Sequence, residues 1–212
     1  MLPFLVALGI KPEVQHFFEP WLEVSSETEL QFSYLDQAIN RKKREVLNAH
    51  GSLIPSTTGI WCAGALHPNT VRHNFLFNSA IEVLSFCSMN IGWLARPGNV
   101  AFSALGLCPV ASQVEALRSR FPNARLHTVF GNDVLGRIAD CKVALWAKGK
   151  DADFHMHQDI IIAQYNSKSF RIPESIFSLH FFEKKSSLRA GIRTHKPKAG
   201  FVSFFELLKE AS

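Results

Sequence analysis

The residue types that could carry chemistry follow two apolar runs, at the points where each run gives way to helical spacing. The first run covers residues 73–77 and the second covers residues 126–130. In parallel α/β units the chemistry lies at the carboxyl ends of the strands. Five residues at these two junctions are the site candidates: Asn78, Glu82, Gly131, Asp133 and Gly136.

The stretch 125–146 predicts the unit that positions the second group. Its β-branched and aromatic run indicates a strand, the Gly-Asn-Asp turn ends that strand, and apolar residues at helical spacing indicate a helix. Two similar strand and helix pairs precede it, with strands at 73–77 and 100–106. Strands separated by helices imply right-handed crossovers. We therefore expect an α/β fold with a small parallel sheet and helices on both faces.

The flanking regions have different patterns. Residues 1–24 predict a short helix, with Phe17, Phe18, Trp21 and Leu22 as core candidates. Residues 29–48 predict a hairpin, and a strand at 59–63 would complete a small antiparallel sheet. Residues 152–165 predict a bent strand or hairpin, followed by a strand and a helix, and residues 201–210 predict an amphipathic helix. The predicted units are residues 1–70, 71–165 and 166–212, with the first boundary near residues 67–71.

Composition narrows the class of protein. The 212 residues are 47% hydrophobic and 19% charged, so we expect a globular chain rather than a disordered one. No apolar run reaches the length of a membrane span, and residues 2–10 lack the features of a signal peptide, so no membrane partner is expected. The four cysteines form no C-x-x-C pair, and Cys87 and Cys141 fall on apolar helix faces. Buried free thiols favour a cytoplasmic protein.

The two junctions carry motifs that resemble those of the Toprim domain, which topoisomerases, primases and related nucleases share. Phe77-Asn78-Ser79-Ala80-Ile81-Glu82 occupies the position of the first motif, and Gly131-Asn132-Asp133-Val134-Leu135-Gly136 that of the second. Leu105-Gly106 after the middle strand also fits. The ending Ser203-Phe204-Phe205-Glu206-Leu207-Leu208 is similar to that of Toprim-like proteins from mobile elements of Bacteroidetes-type bacteria.

The resemblance implies a phosphodiester site, but the catalytic positions differ from the family pattern. Asn78 stands where the family has its general acid/base Glu, and Gly131 stands where it has the first metal-binding Asp. Only Asp133 matches a family Mg²⁺ ligand, and Glu82 is the remaining acid of the first motif. We therefore predict weak Mg²⁺ binding and a degenerate, non-catalytic site.

The same residues also have purely structural interpretations. Asp133 could cap the helix that follows it, and Asn78 and Ser79 could cap the helix after the first strand. Gly131 could supply a positive φ at the turn. A helix N-terminus at the strand end would still offer N–H groups to a phosphate without any metal.

Two further groups of residues lie outside these motifs. His155, His157 and Asp159 alternate, so on a strand they would share a face that could hold Zn²⁺ or Fe²⁺. The segment 184–198 holds six basic residues and no acid, with Gly191 and Pro197 favouring a loop. Such a segment attracts phosphate backbones, although a solvated loop is the alternative. The nucleic-acid-binding candidates are Lys184, Lys185, Arg189, Arg193, Lys196 and Lys198, with a second cluster at Arg41, Lys42, Lys43 and Arg44.

Three functions remain open at this point. The first is a non-catalytic Toprim-like protein that binds DNA, RNA or a replication or mobile-element protein. The second is a Mg²⁺-dependent nuclease or primase-type enzyme that uses Asp133 and Glu82. The third is a scaffold protein with no nucleic-acid role, which meets a partner through its Phe-rich surface.

Overall fold

The computed structural model describes residues 2–36, 39–48, 51–64 and 67–211, and its N-terminal region forms a small antiparallel sheet. Two short helices precede the sheet where one was predicted, and each begins at a proline, which suits the first helical turn. Residues Leu30, Phe32 and Tyr34 alternate inward along the second strand and are fully buried. The elements are α1 (Pro3–Ala7), α2 (Pro12–Phe18), β1 (Glu23–Ser26), β2 (Glu29–Asp36), β3 (Arg41–Asn48) and β4 (Gly51–Leu53).

A five-stranded mixed sheet forms the centre of the protein. Its order is β12-β8-β6-β7-β5, and the first four strands are parallel to their neighbours as predicted. The predicted helices follow β6, β7 and β8. The elements are β5 (Trp61–Ala63), β6 (His73–Phe77), α3 (Ala80–Met89), β7 (Val100–Ala104), α4 (Ala111–Arg120), β8 (Arg125–Thr128), α5 (Val134–Trp146) and β12 (Arg193–Thr194).

The strand predicted at 59–63 was assigned to the wrong sheet. Strand β5 pairs antiparallel with β7 and forms the edge of the central sheet, and only an isolated bridge between Leu35 and Ile60 joins it to β2. Trp61 and Ala63 are both buried when β5 lies at the edge of the central sheet. From this position Trp61 also packs against Phe32 of β2. The small sheet is completed by β1 and β4 instead.

The C-terminal region adds a three-stranded antiparallel sheet and two helices. Residues 153–165 form a hairpin, one of the two predicted alternatives. The predicted loop at 184–198 is wrong in part, because Lys184 and Lys185 lie in a helix and Arg193 lies in β12, where main-chain pairing with β8 holds it. The elements are β9 (Asp153–His157), β10 (Ile160–Tyr165), β11 (Lys168–Pro173), α6 (Leu179–Ser186) and α7 (Phe204–Glu210).

Three hydrophobic cores hold these layers together. One face of the central sheet packs with α3, α7 and the N-terminal region, and the other face packs with α4 and α5. The third core lies between α5, α6 and the sheet β9 to β11. The predicted boundary near residues 67–71 falls between two strands of one sheet, and the first core includes residues from both sides of it.

Two composition-based predictions can be compared with the fold. Cys87 and Cys141 are free thiols with no exposed surface, as predicted. Within the described ranges, none of the helices combines the length and apolarity that crossing a bilayer requires.

Candidate functional site

The two predicted motif positions meet at one edge of the central sheet. Strands β6 and β8 are parallel neighbours, so the turns that follow them open on the same side. Asn78 follows β6 directly, and its amide donates long hydrogen bonds of 3.4 Å to the carbonyls of Gly106 and Leu107. The Asn78 amide therefore links β6 to the loop after β7.

Asp133 caps helix α5. Its Oδ1 accepts the N–H of Gly136 at 2.8 Å, which confirms the capping interpretation. A Cβ on Gly136 would lie 2.1 Å from the carbonyl oxygen of Gly131, so only glycine fits there. The φ of Gly131 is not positive, so that prediction is wrong. A Cβ on Gly131 would lie 3.0 Å from Asp133 Oδ1 and 3.3 Å from the Val202 carbonyl oxygen, so any larger residue would press on the Asp133 cap and on the segment before α7.

Glu82 caps the C-terminal helix. Its two carboxylate oxygens accept the N–H groups of Phe204 and Phe205, at 3.0 and 3.2 Å. The segment before this helix crosses the turn after β8, because the N–H of Asn132 donates to the carbonyl of Val202 at 2.7 Å. Burial raises the pKa of Glu82, and these hydrogen bonds act against that rise. Both carboxylates of the Mg²⁺-enzyme hypothesis thus serve as helix caps.

A third carboxylate, which sequence analysis missed, occupies the N-terminus of α3. Glu45 of β3 accepts the N–H groups of Ala80 and Ile81, at 2.8 and 3.2 Å. It also accepts the hydroxyls of Tyr34 and Ser52, at 2.5 and 2.9 Å. Burial raises the pKa of Glu45, whereas the four donors lower it. The helix N-terminus predicted to receive a phosphate already binds an internal carboxylate.

An internal cation lies close to the end of β8. The ammonium of Lys196 donates to the carbonyls of Phe130 and Gly131, at 3.1 and 2.7 Å, and lies 2.6 Å from Oδ2 of Asp140. Asp140 is buried, which raises its pKa, while Lys196 and the Thr128 hydroxyl lower it. A carboxylate and two carbonyls are oxygen ligands of the kind that divalent cations use. In this structure the ammonium group of Lys196 binds all three of these oxygen ligands.

Three histidines form a hydrogen-bonded row across β6, β8 and the end of β12. His127 Nε2 lies 2.9 Å from His73 Nδ1, and His127 Nδ1 lies 3.0 Å from His195 Nε2. The ring of His127 also stacks on Phe75, with ring centroids 4.4 Å apart. Burial, together with the neighbouring His195 and His73, lowers the pKa of His127 to about 3. The row is therefore neutral near pH 7.

The histidine row makes stability depend on pH. Below about pH 6.5, the ordinary pKa of His, the unfolded chain binds a proton that folded His127 does not accept until about pH 3. We expect the free energy of unfolding to fall by about 1.4 kcal/mol per pH unit for this residue as the pH decreases. Urea unfolding of the parent and of His127→Phe at pH 7, 6 and 5 measures this slope.

The free energy of unfolding should change less steeply with pH in His127→Phe than in the parent. The control variant His16→Phe, at an exposed position, should show the same slope as the parent. Glu45 and Glu82, whose pKa values are raised, act in the opposite direction above their ordinary pKa of 4.5. Because parent and variant share that contribution, the difference between them isolates His127. Equal slopes in the parent and in His127→Phe would contradict the prediction.

The predicted Zn²⁺ or Fe²⁺ face does not form a metal site in the part of the chain that is described. His155 and His157 are exposed on β9, and Asp159 is exposed in the turn that follows. No group of three His, Cys, Asp or Glu side chains there could hold a metal ion. The two imidazoles are typical of a solvated strand face.

The basic residues lie in two separate regions. Lys42 and Arg44 of β3 pair with Glu23, at 3.1 and 3.9 Å, and Lys43 donates to the Ser56 carbonyl. The other region is the segment 184–198, which begins in α6, and α6 packs on α5 in the third core. Its exposed cations are Lys184, Lys185, Arg189, Arg193 and Lys198, while Lys196 is engaged internally.

Two of these cations line one groove. Lys184 and Arg189 border a depression of about 380 Å³ together with His180. The acid in the groove, Glu183, accepts the N–H of Ala190 at 2.8 Å, so its carboxylate is partly satisfied within the chain. The groove therefore presents two cations and an imidazole to solvent.

Comparison with protein-family models, with curated proteins and with solved structures finds no match. The proposed function therefore rests on the geometry of these residues and on the motif resemblance of the sequence.

The sequence contains weak signals for two of the site residues that were not predicted, Glu45 and Asp140. Glu45 alternates inward with Leu47 along β3, and a carboxylate at an inward position requires buried donors. Asp140 lies on a helix beside buried Cys141 and Val143, where an acid needs a cation. The histidine row has no such signal, because its members are far apart in the chain.

Proposed function

We propose that this chain is a non-catalytic Toprim-like protein that binds nucleic acid in mobile-element DNA processing, through the exposed basic residues around α6. The observation that carries the proposal is the groove bordered by Lys184 and Arg189. Arg193 and Lys198 follow in the chain, and neither forms an ion pair in the described structure. A concentrated set of free cations is the feature that phosphate backbones select.

The absence of catalysis is proposed from the hydrogen bonds of the two motif carboxylates, Glu82 and Asp133, and of the neighbouring Glu45. Glu45, Glu82 and Asp133 each cap a helix. A general acid/base needs a lone pair directed at the substrate and a Mg²⁺ ligand needs one directed at the metal, whereas both oxygens of Glu82 and of Glu45 accept internal hydrogen bonds. The Mg²⁺-enzyme alternative, which uses Asp133 and Glu82, would require the Glu82 cap to open.

The proposal predicts salt-dependent binding of single-stranded nucleic acid. Fluorescence anisotropy with labelled 20-nucleotide DNA and RNA, at 50 to 200 mM salt, gives the affinity and its salt slope. Replacing Lys184, Lys185 and Arg189 together with Ala should weaken binding about tenfold or more at low salt. It should also reduce the slope of log K against log salt by about 2, because three phosphate contacts are lost.

A matched control removes three exposed cations elsewhere, at Lys11, Arg118 and Lys168. This variant has the same net charge as the first and should retain most of the binding. If the two variants lost the same affinity for nucleic acid, net charge alone would explain the effect. That result would contradict binding at a defined surface. Mg²⁺-dependent cleavage of the same oligonucleotides, abolished by Asp133→Ala, would instead establish the enzyme hypothesis.

A further inference from the structure

One edge of the three-stranded C-terminal sheet has no strand beside it. Strand β9 stands last in the order β11-β10-β9, and within the described ranges it pairs only with β10. A two-residue turn joins these two strands, so His157 and Ile160 form a hydrogen-bonded pair. Hydrogen-bonded pairs alternate along an antiparallel ladder, and the main-chain groups of Phe154 and Met156 therefore point away from β10. In the described part of the chain these groups have no other main-chain partner.

The free edge of β9 lacks the features that normally keep strand edges apart. Such edges carry lysine, proline or a bulge. The opposite edge of the same sheet has two of these features, because β11 contains Lys168 and Pro173. Strand β9 contains no lysine, arginine or proline, its register with β10 is continuous, and its one acid, Asp153, stands at its first position. The edge of β9 is therefore open to another strand.

The sequence of β9 is complementary to itself when two copies run antiparallel. If a two-fold axis passes through His155, all five residues of the strand face a residue of the second copy. Phe154 then faces Met156, and their outward main-chain groups exchange hydrogen bonds on both sides of the axis. A shift of this register by two residues in either direction leaves residues of the strand unpaired.

The polar face of β9 matches this register. Asp153 and His157 are exposed, and within the described ranges neither forms a hydrogen bond or an ion pair. In the symmetric arrangement each Asp153 lies opposite the His157 of the other copy, in a pair whose side chains are close. An imidazole N–H donates to a carboxylate, so two such contacts form, one on each side of the axis.

The apolar face of β9 matches it as well. Phe154 packs on Phe177 and Phe182 in the third core, with ring centroids 5.9 and 5.4 Å apart. Met156 points to the same face and is 54% exposed, so the core stops short of the edge of the sheet. In the symmetric pair the thioether of each Met156 packs on Phe154 of the other copy, a favourable contact for sulfur. The third cores of the two copies then become continuous.

We propose that the chain forms a symmetric homodimer in which β9 pairs antiparallel with β9 of a second copy, centred on His155. The two three-stranded sheets become one six-stranded sheet. The dimer does not depend on the function proposed above, because it uses none of the exposed basic residues around α6.

The first test is analytical ultracentrifugation of the full chain from low to high micromolar concentration, in which we expect a dimer. Met156→Pro removes an outward N–H and leaves the hydrogen bonds to β10 in place, so it should weaken the dimer about tenfold or more. Ser169→Pro makes the same change on the outer edge of β11 and should leave the dimer unchanged. Far-UV circular dichroism checks that both variants are folded.

The second test determines the register by disulfide cross-linking, in a Cys108→Ser background because Cys108 is exposed. His155→Cys places two thiols opposite each other on the axis, with Cβ atoms about 4.5–5.5 Å apart, close to the range of a disulfide. His157→Cys is the matched control on the same exposed face, and its two copies lie about 13 Å apart along the strands. Oxidised glutathione should therefore link His155→Cys about tenfold faster or more.

Three results would overturn the proposal: a chain that stays monomeric at high concentration, a dimer of folded Met156→Pro as stable as the parent dimer, or equal cross-linking of the two cysteine variants. If Met156→Pro does not fold, the cross-linking rates decide the outcome by themselves. The variants leave the basic residues in place, so failure of the dimer and failure of nucleic-acid binding are separate results.

Discussion

Replacing Lys196 with Met should lower the free energy of unfolding by about 3–5 kcal/mol, because Asp140 would remain buried without its cation. The carbonyls of Phe130 and Gly131 would lose their ammonium donor at the same time. Urea unfolding at pH 7, followed by circular dichroism, measures the change. Lys198→Met is the matched control, since Lys198 is exposed and two residues away, and it should change stability by less than about 0.5 kcal/mol.

Two further measurements distinguish loss of the Lys196–Asp140 ion pair from nonspecific destabilisation by the substitution. A double variant, Lys196→Met with Asp140→Leu, should recover most of the lost stability, because an apolar pair of similar volume avoids the buried charge. In Lys196→Met alone, Asp140 should take up a proton in the folded state, so the stability loss should grow as the pH rises above the ordinary Asp value of 3.8. A loss that is independent of pH and unchanged in the double variant would refute the ion-pair explanation.

Replacing Glu45 with Ala should lower the free energy of unfolding by about 4 kcal/mol. The substitution leaves the N–H groups of Ala80 and Ile81 and the hydroxyls of Tyr34 and Ser52 without their acceptor. A buried donor that loses its partner costs about 1–3 kcal/mol, and the four losses are not additive because the hydroxyls can reorient. Thermal or urea unfolding at pH 7 tests the value.

The control and an intermediate variant sharpen this test. Exposed Glu27→Ala removes the same charge from the turn between β1 and β2 and should be close to neutral. Glu45→Gln keeps one acceptor oxygen but places an amide N–H group opposite a donor, so its stability should lie between those of the parent and Glu45→Ala. If Glu45→Ala were as stable as Glu27→Ala, Glu45 would not be the cap that joins the small sheet to α3.

The local elements were predictable where one physical factor dominated. Strand β6 was predicted with its observed bounds, because its apolar run Phe75–Phe77 and the two residues before it stand between turns. The cap at Asp133 was also predictable, since capping depends on a residue and the N–H three positions later. Right-handed crossovers leave more than one strand order possible, and only the structure places β6 between β7 and β8.

The roles of the charged residues depended on the tertiary structure. Sequence alone determined that Asn78 cannot transfer a proton and that Gly131 cannot bind a metal, because those limits belong to the side chains themselves. It did not determine that Glu45 and Lys196 would fill the anion and cation positions near the strand ends, since Glu45 reaches the N-terminus of α3, and Lys196 reaches Asp140, across more than thirty residues of chain. Such pairings depend on which surfaces pack together, and packing is a property of the whole fold rather than of any local pattern.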